Sequence, residues 1–337
     1  MNSKYLMSTS NVQDISNEIK AEALRLGFSA CGIAKAEPVD EATANMYRSW
    51  LANGNNAGMK YLENNLDKRL DPTLLMPGAQ SIICLAANYY PEKRLAEDQY
   101  QFAYYAYGQD YHDILKDKIR NLITTVFPEI ASIKREASEE AMRERIRICV
   151  DTVPFLDRYW AVKAGLGWIG KNGNLIIPKA GSFFFLGAII VDFELEYDKP
   201  MDNHCGSCHK CLDACPTGAL RVPYYIDSAK CLSYLTIEHK GDILENQMVN
   251  GIRSNGKYIY GCDCCQLACP YNKTFATPTK IKEFTPKSEF LCMRPADWQQ
   301  LTIEQYRSLF KGSAVKRAKY EDLMRNIKLL QSHCHQD

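Results

Sequence analysis

Cys205-Gly-Ser-Cys208-His-Lys-Cys211-Leu-Asp-Ala-Cys215-Pro216 decides how this chain is read. The spacing is C-x2-C-x2-C-x3-C-P, in which short turns bring three thiolates to the corners of one iron–sulfur cubane and the cysteine before the proline ligates a second cluster. A second cluster needs its own ligands, and the chain supplies Cys262-x2-Cys265-x3-Cys269-Pro270. The residue three before Cys262 is Ile259, so this copy lacks one ligand, and Cys231 is the only cysteine between the motifs. The inferred sets are Cys205, Cys208, Cys211 and Cys269 for one cluster, and Cys215, Cys231, Cys262 and Cys265 for the other, with Cys264 left over. Paired C-x2-C units also suit tetrahedral zinc. Zinc takes four ligands per site, whereas here two triads each end in Cys-Pro, which favours two [4Fe-4S] clusters.

Nine of the fourteen cysteines lie between Cys205 and Pro270 of the 337 residues. That length suffices for two or three domains and a large core. A net charge of +1 with 24% charged residues excludes a polyanion-binding sponge or an acidic tail protein. No apolar run approaches the ~20 residues of a membrane span, and the N-terminus lacks the apolar stretch of a signal peptide. The expectation is a cytoplasmic protein with no membrane partner, its thiols reduced and metal-bound rather than paired in disulfides. Cys31, Cys84 and Cys149 lie in apolar runs and read as small core residues.

Upstream of the cysteines, apolar residues at helical spacing predict helices over 11–26, 40–52, 59–66, 111–127 and 155–164. Buried-strand runs occupy 28–34, 81–90, 145–153 and 182–195. Helices and strands alternate, so residues 1–196 form one α/β domain. A polar connector over 197–203 opens the cluster domain, 197–277. Residues 278–337 form a short helical region; from residue 279 on it carries eleven Lys/Arg against seven Asp/Glu, a difference of +4.

Gly165-Leu-Gly167-Trp-Ile-Gly170 matches the dinucleotide fingerprint, but it follows a helix and leads into a strand, the reverse of the required context. Its glycines imply backbone held close to something flat or bulky. Asp151 ends a core strand just upstream; a carboxyl shielded there could keep its proton near neutral pH and act as a general acid. Gln109-Asp110-Tyr111-His112, beside Tyr100, Tyr104, Tyr105 and Tyr107, reads either as helix entry with core aromatics or as a pocket wall. Lys311-Gly-Ser-Ala-Val-Lys316-Arg317-Ala-Lys319 is by default a solvated face and alternatively a phosphate-contacting patch.

Taken together these segments resemble the epoxyqueuosine reductases, iron–sulfur and cobalamin enzymes of tRNA modification. The resemblance runs through Arg69-Leu-Asp-Pro72, Tyr105-Ala-Tyr-Gly-Gln-Asp-Tyr-His112, Val150-Asp-Thr-Val-Pro154, Lys163-Ala-Gly-Leu-Gly-Trp-Ile-Gly-Lys-Asn172, Gly181-Ser-Phe-Phe-Phe-Leu-Gly187, both cysteine motifs, Cys231-Leu-Ser-Tyr-Leu-Thr-Ile-Glu238, Gly312-Ser-Ala-Val-Lys-Arg317 and Arg325-Asn326. It implies a nitroreductase-like corrinoid-binding α/β (α+β) domain, a two-[4Fe-4S] bacterial ferredoxin-like domain and the helical C-terminal region. It also implies reduction of the epoxide of epoxyqueuosine at the tRNA wobble position to give queuosine. Asp151 aligns with the family's proton donor; Arg69, Asp151, Asn172, Ser233, Glu238, Asp263 and Cys264 fall in segments that border the cobalamin. With an anticodon loop as substrate, Lys316, Arg317, Lys319 and Arg325 become candidate tRNA backbone contacts.

The chemistry agrees, since taking out an epoxide oxygen as water needs two electrons and two protons. A low-potential electron donor outside the chain is then required. The chain has no D-x-H-x-x-G segment, because Asp110-Tyr-His112-Asp-Ile-Leu115 lacks the glycine, so the cobalamin is expected base-off. Three departures stand out. Gln109 occupies a position where the family usually has arginine, Cys264 replaces a commonly acidic residue, and the longer C-terminal extension of some relatives is missing, which predicts a smaller tRNA footprint. The competing functions are a corrinoid reductive dehalogenase, which usually carries an export signal, and a ferredoxin-type electron carrier, which would not need the domain in front.

Overall fold

The computed structural model describes residues 11–129, 145–243 and 257–331. The first ten residues and the last six, including Asp337 of the charge tally, lie outside them.

In chain order the front part comprises α1 (Val12–Arg25), β1 (Ala30–Lys35), α2 (Glu41–Ala52), α3 (Leu66–Leu70), α4 (Pro72–Leu75), β2 (Ser81–Asn88), β3 (Gln101–Phe102), α5 (Tyr111–Val126), β4 (Ile146–Cys149), α6 (Asp157–Lys163), β5 (Trp168–Ile169), β6 (Leu175–Ile176) and β7 (Phe184–Val191). Asn11, Asp40 and Asp110 cap α1, α2 and α5 through side-chain oxygens that accept main-chain N–H groups, which explains where those helices start. The helix expected over 59–66 is a single 3-10 turn at Lys60–Leu62 followed by α3, because Asn65 between them takes a left-handed φ of 52°. The strand expected over 145–153 stops at Cys149, since Asp151 turns the chain with φ 51°.

The main sheet has the order β1-β2-β7-β4, with every neighbouring pair antiparallel. Alternation along β2 shows why its whole run is apolar. Ile83, Leu85 and Ala87 join Ile19 of α1 and Leu115, Ile119 and Leu122 of α5, while Ile82, Cys84 and Ala86 join Leu70, Leu75, Trp160 and Ala161. Helices therefore cover both faces, with each buried aliphatic side chain worth about 1.5–3 kcal/mol.

The second part carries α7 (Lys210–Asp213), α8 (Leu232–Ile237), β8 (Tyr258–Tyr260), α9 (Cys264–Leu267) and α10 (Pro270–Phe275), and ends in α11 (Ser288–Cys292), α12 (Pro295–Gln299), α13 (Ile303–Leu309) and α14 (Lys319–Gln331). β8 pairs in parallel with β3 of the front part. Phe290, Trp298, Phe310 and Ile327 of the last helices and their connections share one core with Phe102, Tyr260 and the α1–α5 face of the sheet. Asn326 is completely buried and donates to the carbonyls of Thr236 and Ile259, tying α14 to α8 and β8. Among the described residues no helix is long and apolar enough to cross a membrane.

Candidate functional site

The glycine-rich connection docks the front part on the cysteine segment. Gly167 lies so close to β6 that a Cβ there would collide with the Ile176 carbonyl, so the bulky neighbour expected from the sequence is the chain's own backbone. Lys171 follows and donates to the carbonyls of Gly206 (2.6 Å) and Cys208 (2.8 Å), pinning the first cysteine loop. Asn272 of α10 accepts from Ser182 N at 2.6 Å and donates to Ser182 Oγ at 2.9 Å, which fixes α10 and the preceding Cys269.

Two groups of thiols result. Cys211 feels the charges of Cys269, Cys205 and Cys208; Cys265 feels those of Cys231 and Cys215, and Cys262 lies beside Cys264 and Cys265. Burial, reinforced by these neighbours, pushes the thiols of Cys211, Cys231, Cys265 and Cys269 up. Thiols so placed stay protonated until a metal displaces the proton. Among the described residues no three His, Cys, Asp or Glu side chains converge tightly enough to hold a single metal ion. Grouped as two tetrads, Cys205, Cys208, Cys211, Cys269 and Cys215, Cys231, Cys262, Cys265, these are the thiols that would hold two cubane clusters.

Asp151 stands on its left-handed turn with its side chain 63% exposed. Its Oδ2 accepts from Tyr111 Oη at 2.9 Å and is 3.1 Å from His112 Nε2. His112 Nδ1 lies 2.7 Å from Asp110 Oδ1, and the same oxygen accepts His112 N at the start of α5. Tyr111 is clamped between His112, at 4.1 Å, and Phe185, at 4.3 Å and 6°. Hydrogen bonds that its ring donates to Asp110 first, then to Asp151, raise the His112 pKa to about 9. In return the His112 hydrogen bond holds the Asp151 carboxyl below its ordinary range. The expectation of a shielded, protonated Asp151 is therefore corrected: at neutral pH the proton sits on the imidazole.

The shielded carboxyl belongs to Asp157, six residues on and unmarked in the sequence reading. It lies in the first turn of α6 with Oδ1 buried and without a hydrogen-bond partner. Burial, then the charge of Asp151, raise its pKa to about 7. His112 was also missed as a functional residue, although its place two after the α5 cap is legible. Tyr111, Tyr105 and Tyr260 continue the wall from Asp151 to β8, with a 3.2 Å contact between the Tyr105 and Tyr260 hydroxyls.

The remaining sequence-predicted residues divide. Arg69 is buried, and its Nε has no partner; a carbonyl or phosphate oxygen of an acceptor-rich ligand would satisfy it, so the donor set fits a corrinoid edge. Asn172 is buried near the second tetrad, with its amide nitrogen 3.4 Å from Cys265 O. Ser233 is half-buried on α8, as is Cys264 on α9. Asp263 is turned inward: Oδ2 accepts Tyr104 N at 2.7 Å and Oδ1 accepts from Gln266. Its carboxyl thus fastens α9 to the segment of Tyr104. Glu238 pairs bidentately with Arg317 at 2.9 and 3.0 Å, and Arg317 lies over the Tyr61 ring. Lys316 and Lys319 are exposed. Arg325 is not available to a phosphate: its guanidinium donates to the carbonyls of His239, Gly241 and Leu235 and to Asn326 Oδ1. The expected tRNA contact at Arg325 is corrected to a clamp that closes the turn after α8.

With this geometry in place, the comparisons with known proteins are informative. A family model described as "Epoxyqueuosine reductase QueG, DUF1730" matches residues 69–152, and one described as a 4Fe-4S double cluster binding domain matches residues 204–272. The epoxyqueuosine reductase of Cellulophaga algicola is 44% identical, with 94% of this chain and 97% of that protein covered. That of a Synechocystis strain is 36% identical over 88% of this chain and 98% of its own. A crystal structure of an epoxyqueuosine reductase with an epoxyqueuosine-modified tRNA-Tyr stem loop superposes with a TM-score of 0.80 at 28% identity, covering 96% of this chain and 82% of that one.

Proposed function

The chain belongs to the epoxyqueuosine reductase family, and on that premise we propose how its residues remove the epoxide oxygen of epoxyqueuosine in tRNA. Cys205, Cys208, Cys211 and Cys269 would hold one [4Fe-4S] cluster and Cys215, Cys231, Cys262 and Cys265 the other, the chemistry of such clusters being the transfer of single electrons, here from an external low-potential donor. Arg69, Asn172 and Ser233 would border a cobalamin, which when bound would supply low-potential redox chemistry beside the substrate. Residues 1–196 form the domain that carries the corrinoid and the acid, residues 197–277 that of the clusters, and residues 278–337 the tRNA-facing region. The reaction takes place in the cytoplasm, where tRNA is modified.

Asp151 gives a proton to the epoxide oxygen as the C–O bond opens. Its turn leaves the carboxyl largely exposed, reachable by a nucleoside extruded from an anticodon loop, and Tyr111 and His112 hold Oδ2 in place. Lys316 and Lys319 hold tRNA phosphates outside. The observation that carries this reading is the position of Asp151, whose Oδ2 accepts from Tyr111 Oη at 2.9 Å and lies 3.1 Å from His112 Nε2.

The test is conversion of epoxyqueuosine in tRNA by anaerobically reconstituted protein supplied with cobalamin, followed by nucleoside analysis. Asp151→Asn should keep both clusters and lose ~10²–10⁴-fold in rate, the usual range for a general acid. Full turnover by that variant would remove Asp151 from the chemistry.

A further inference from the structure

The reduction delivers two protons to one oxygen atom. The epoxide takes up two electrons and two protons and becomes an alkene and water: the first proton goes on as the C–O bond breaks, the second as the hydroxyl leaves. Both electrons come from the low-potential donor named above. A single carboxyl holds one proton at most, and in the structure Asp151 is the acceptor of two hydrogen bonds from Tyr111 and His112.

We infer that His112 is the proton store of the site, passing its Nε2 proton to Asp151 Oδ2 across 3.1 Å, while Asp110 at 2.7 Å from Nδ1 holds the ring in register. The inference rests on the proposed role of Asp151 and adds the source of its proton. After each transfer the imidazole is recharged from water, to which its side chain is 25% exposed. Tyr111 holds the same oxygen, but burial and the charge of Asp151 raise its hydroxyl pKa far above the physiological range. It therefore orients the carboxylate without supplying the proton. The other titratable or charged groups in reach are Arg158, Asp157, Tyr61 and Arg317 around Asp151, and Lys116 beside Asp110. Among the described residues, the side chains that hydrogen-bond Asp151 are those of Tyr111 and His112. Asp110 acts through His112 and is a positioning residue.

The sign of the pH dependence follows. The store is full below the His112 pKa of about 9 and empties as pH rises through it. Single-turnover rates of the loaded wild-type enzyme should therefore fall on the alkaline side near that value. His112→Gln, which keeps a side-chain amide but cannot titrate, should lose on the order of 10²-fold and shed that limb. His112→Ala should regain activity with added imidazole. Asp110→Asn should move the limb to lower pH. Independently of activity, an NMR titration of the His112 ring should give a pKa near 9 in the wild type and a lower one in both Asp110→Asn and Asp151→Asn. His112→Gln with wild-type rate and limb, His112→Ala without rescue by imidazole, or a ring titrating at the ordinary histidine value would each overturn the inference. If Asp151→Asn retains turnover, the underlying reading of Asp151 falls instead.

Discussion

Asp151 and Asp157, six residues apart, are driven in opposite directions by their surroundings. The first faces a cationic imidazole and is held ionised; the second is half-buried with an unpartnered, fully buried Oδ1, and burial pushes its carboxyl up to about 7. The consequences for stability differ in sign. His112 has a folded pKa raised to about 9, so its contribution is complete below about pH 6.5, its ordinary value, and is lost as pH rises through 9. Asp157 binds its proton more tightly when folded, so the fold loses stability as pH climbs from the ordinary carboxyl value of about 4 to about 7. Asp157→Asn should therefore melt progressively higher than the wild type as pH is raised across that window, the two converging at acid pH. Thermal denaturation at a series of pH values checks this, and a constant difference would mean that the carboxyl is not shielded.

The elements that matter most are short ones that join the two halves. Gly181 has φ 89°, and a Cβ there would collide with Asn272 Oδ1, the atom that accepts Ser182 N. Asn272 cannot yield without releasing α10, whose N-cap residue is Cys269. Gly181→Ala should destabilise by about 1–3 kcal/mol through backbone strain and lower the iron and sulfide content per chain on reconstitution. Arg325 makes the same point in α14. Replacing it with lysine forfeits a fork of bonds to three carbonyls and Asn326, which should lower the melting temperature while leaving the salt dependence of tRNA binding unchanged. The pairing of Arg317 with Glu238 belongs to this scale too, because it links the C-terminal 3-10 turn at Ala314–Ala318 to the end of α8.

Over the whole molecule the C-terminal helices and the front sheet share one core, in which Trp298 is completely buried between Phe102, Phe290 and Phe310. Trp298→Ala should cost about 3–5 kcal/mol and lower one common unfolding transition by calorimetry, instead of releasing the tail alone. In the proposed function the exposed lysines act at long range. Changing Lys316 and Lys319 together to serine should flatten the slope of log K against log salt for tRNA binding by roughly 1.4, taking about 0.7 per single-strand phosphate contact. An unaltered slope would return both to a solvated face.

The sequence by itself determined the cysteine motifs, the apolar runs of the sheet and the spacing of the main helices, because spacing and periodicity are local properties of the chain. It marked Asp151 as chemical by its place at the end of a core strand. Protonation states were decided only by the tertiary structure, since a pKa depends on partners that folding brings together: His112 across from Asp151, and the closed surroundings of Asp157. Which arginine is free for a phosphate was likewise a matter of packing. Arg325 and Asp263 look like surface chemistry in one dimension, and they became interior fasteners once α14 and α9 were laid against the rest of the chain.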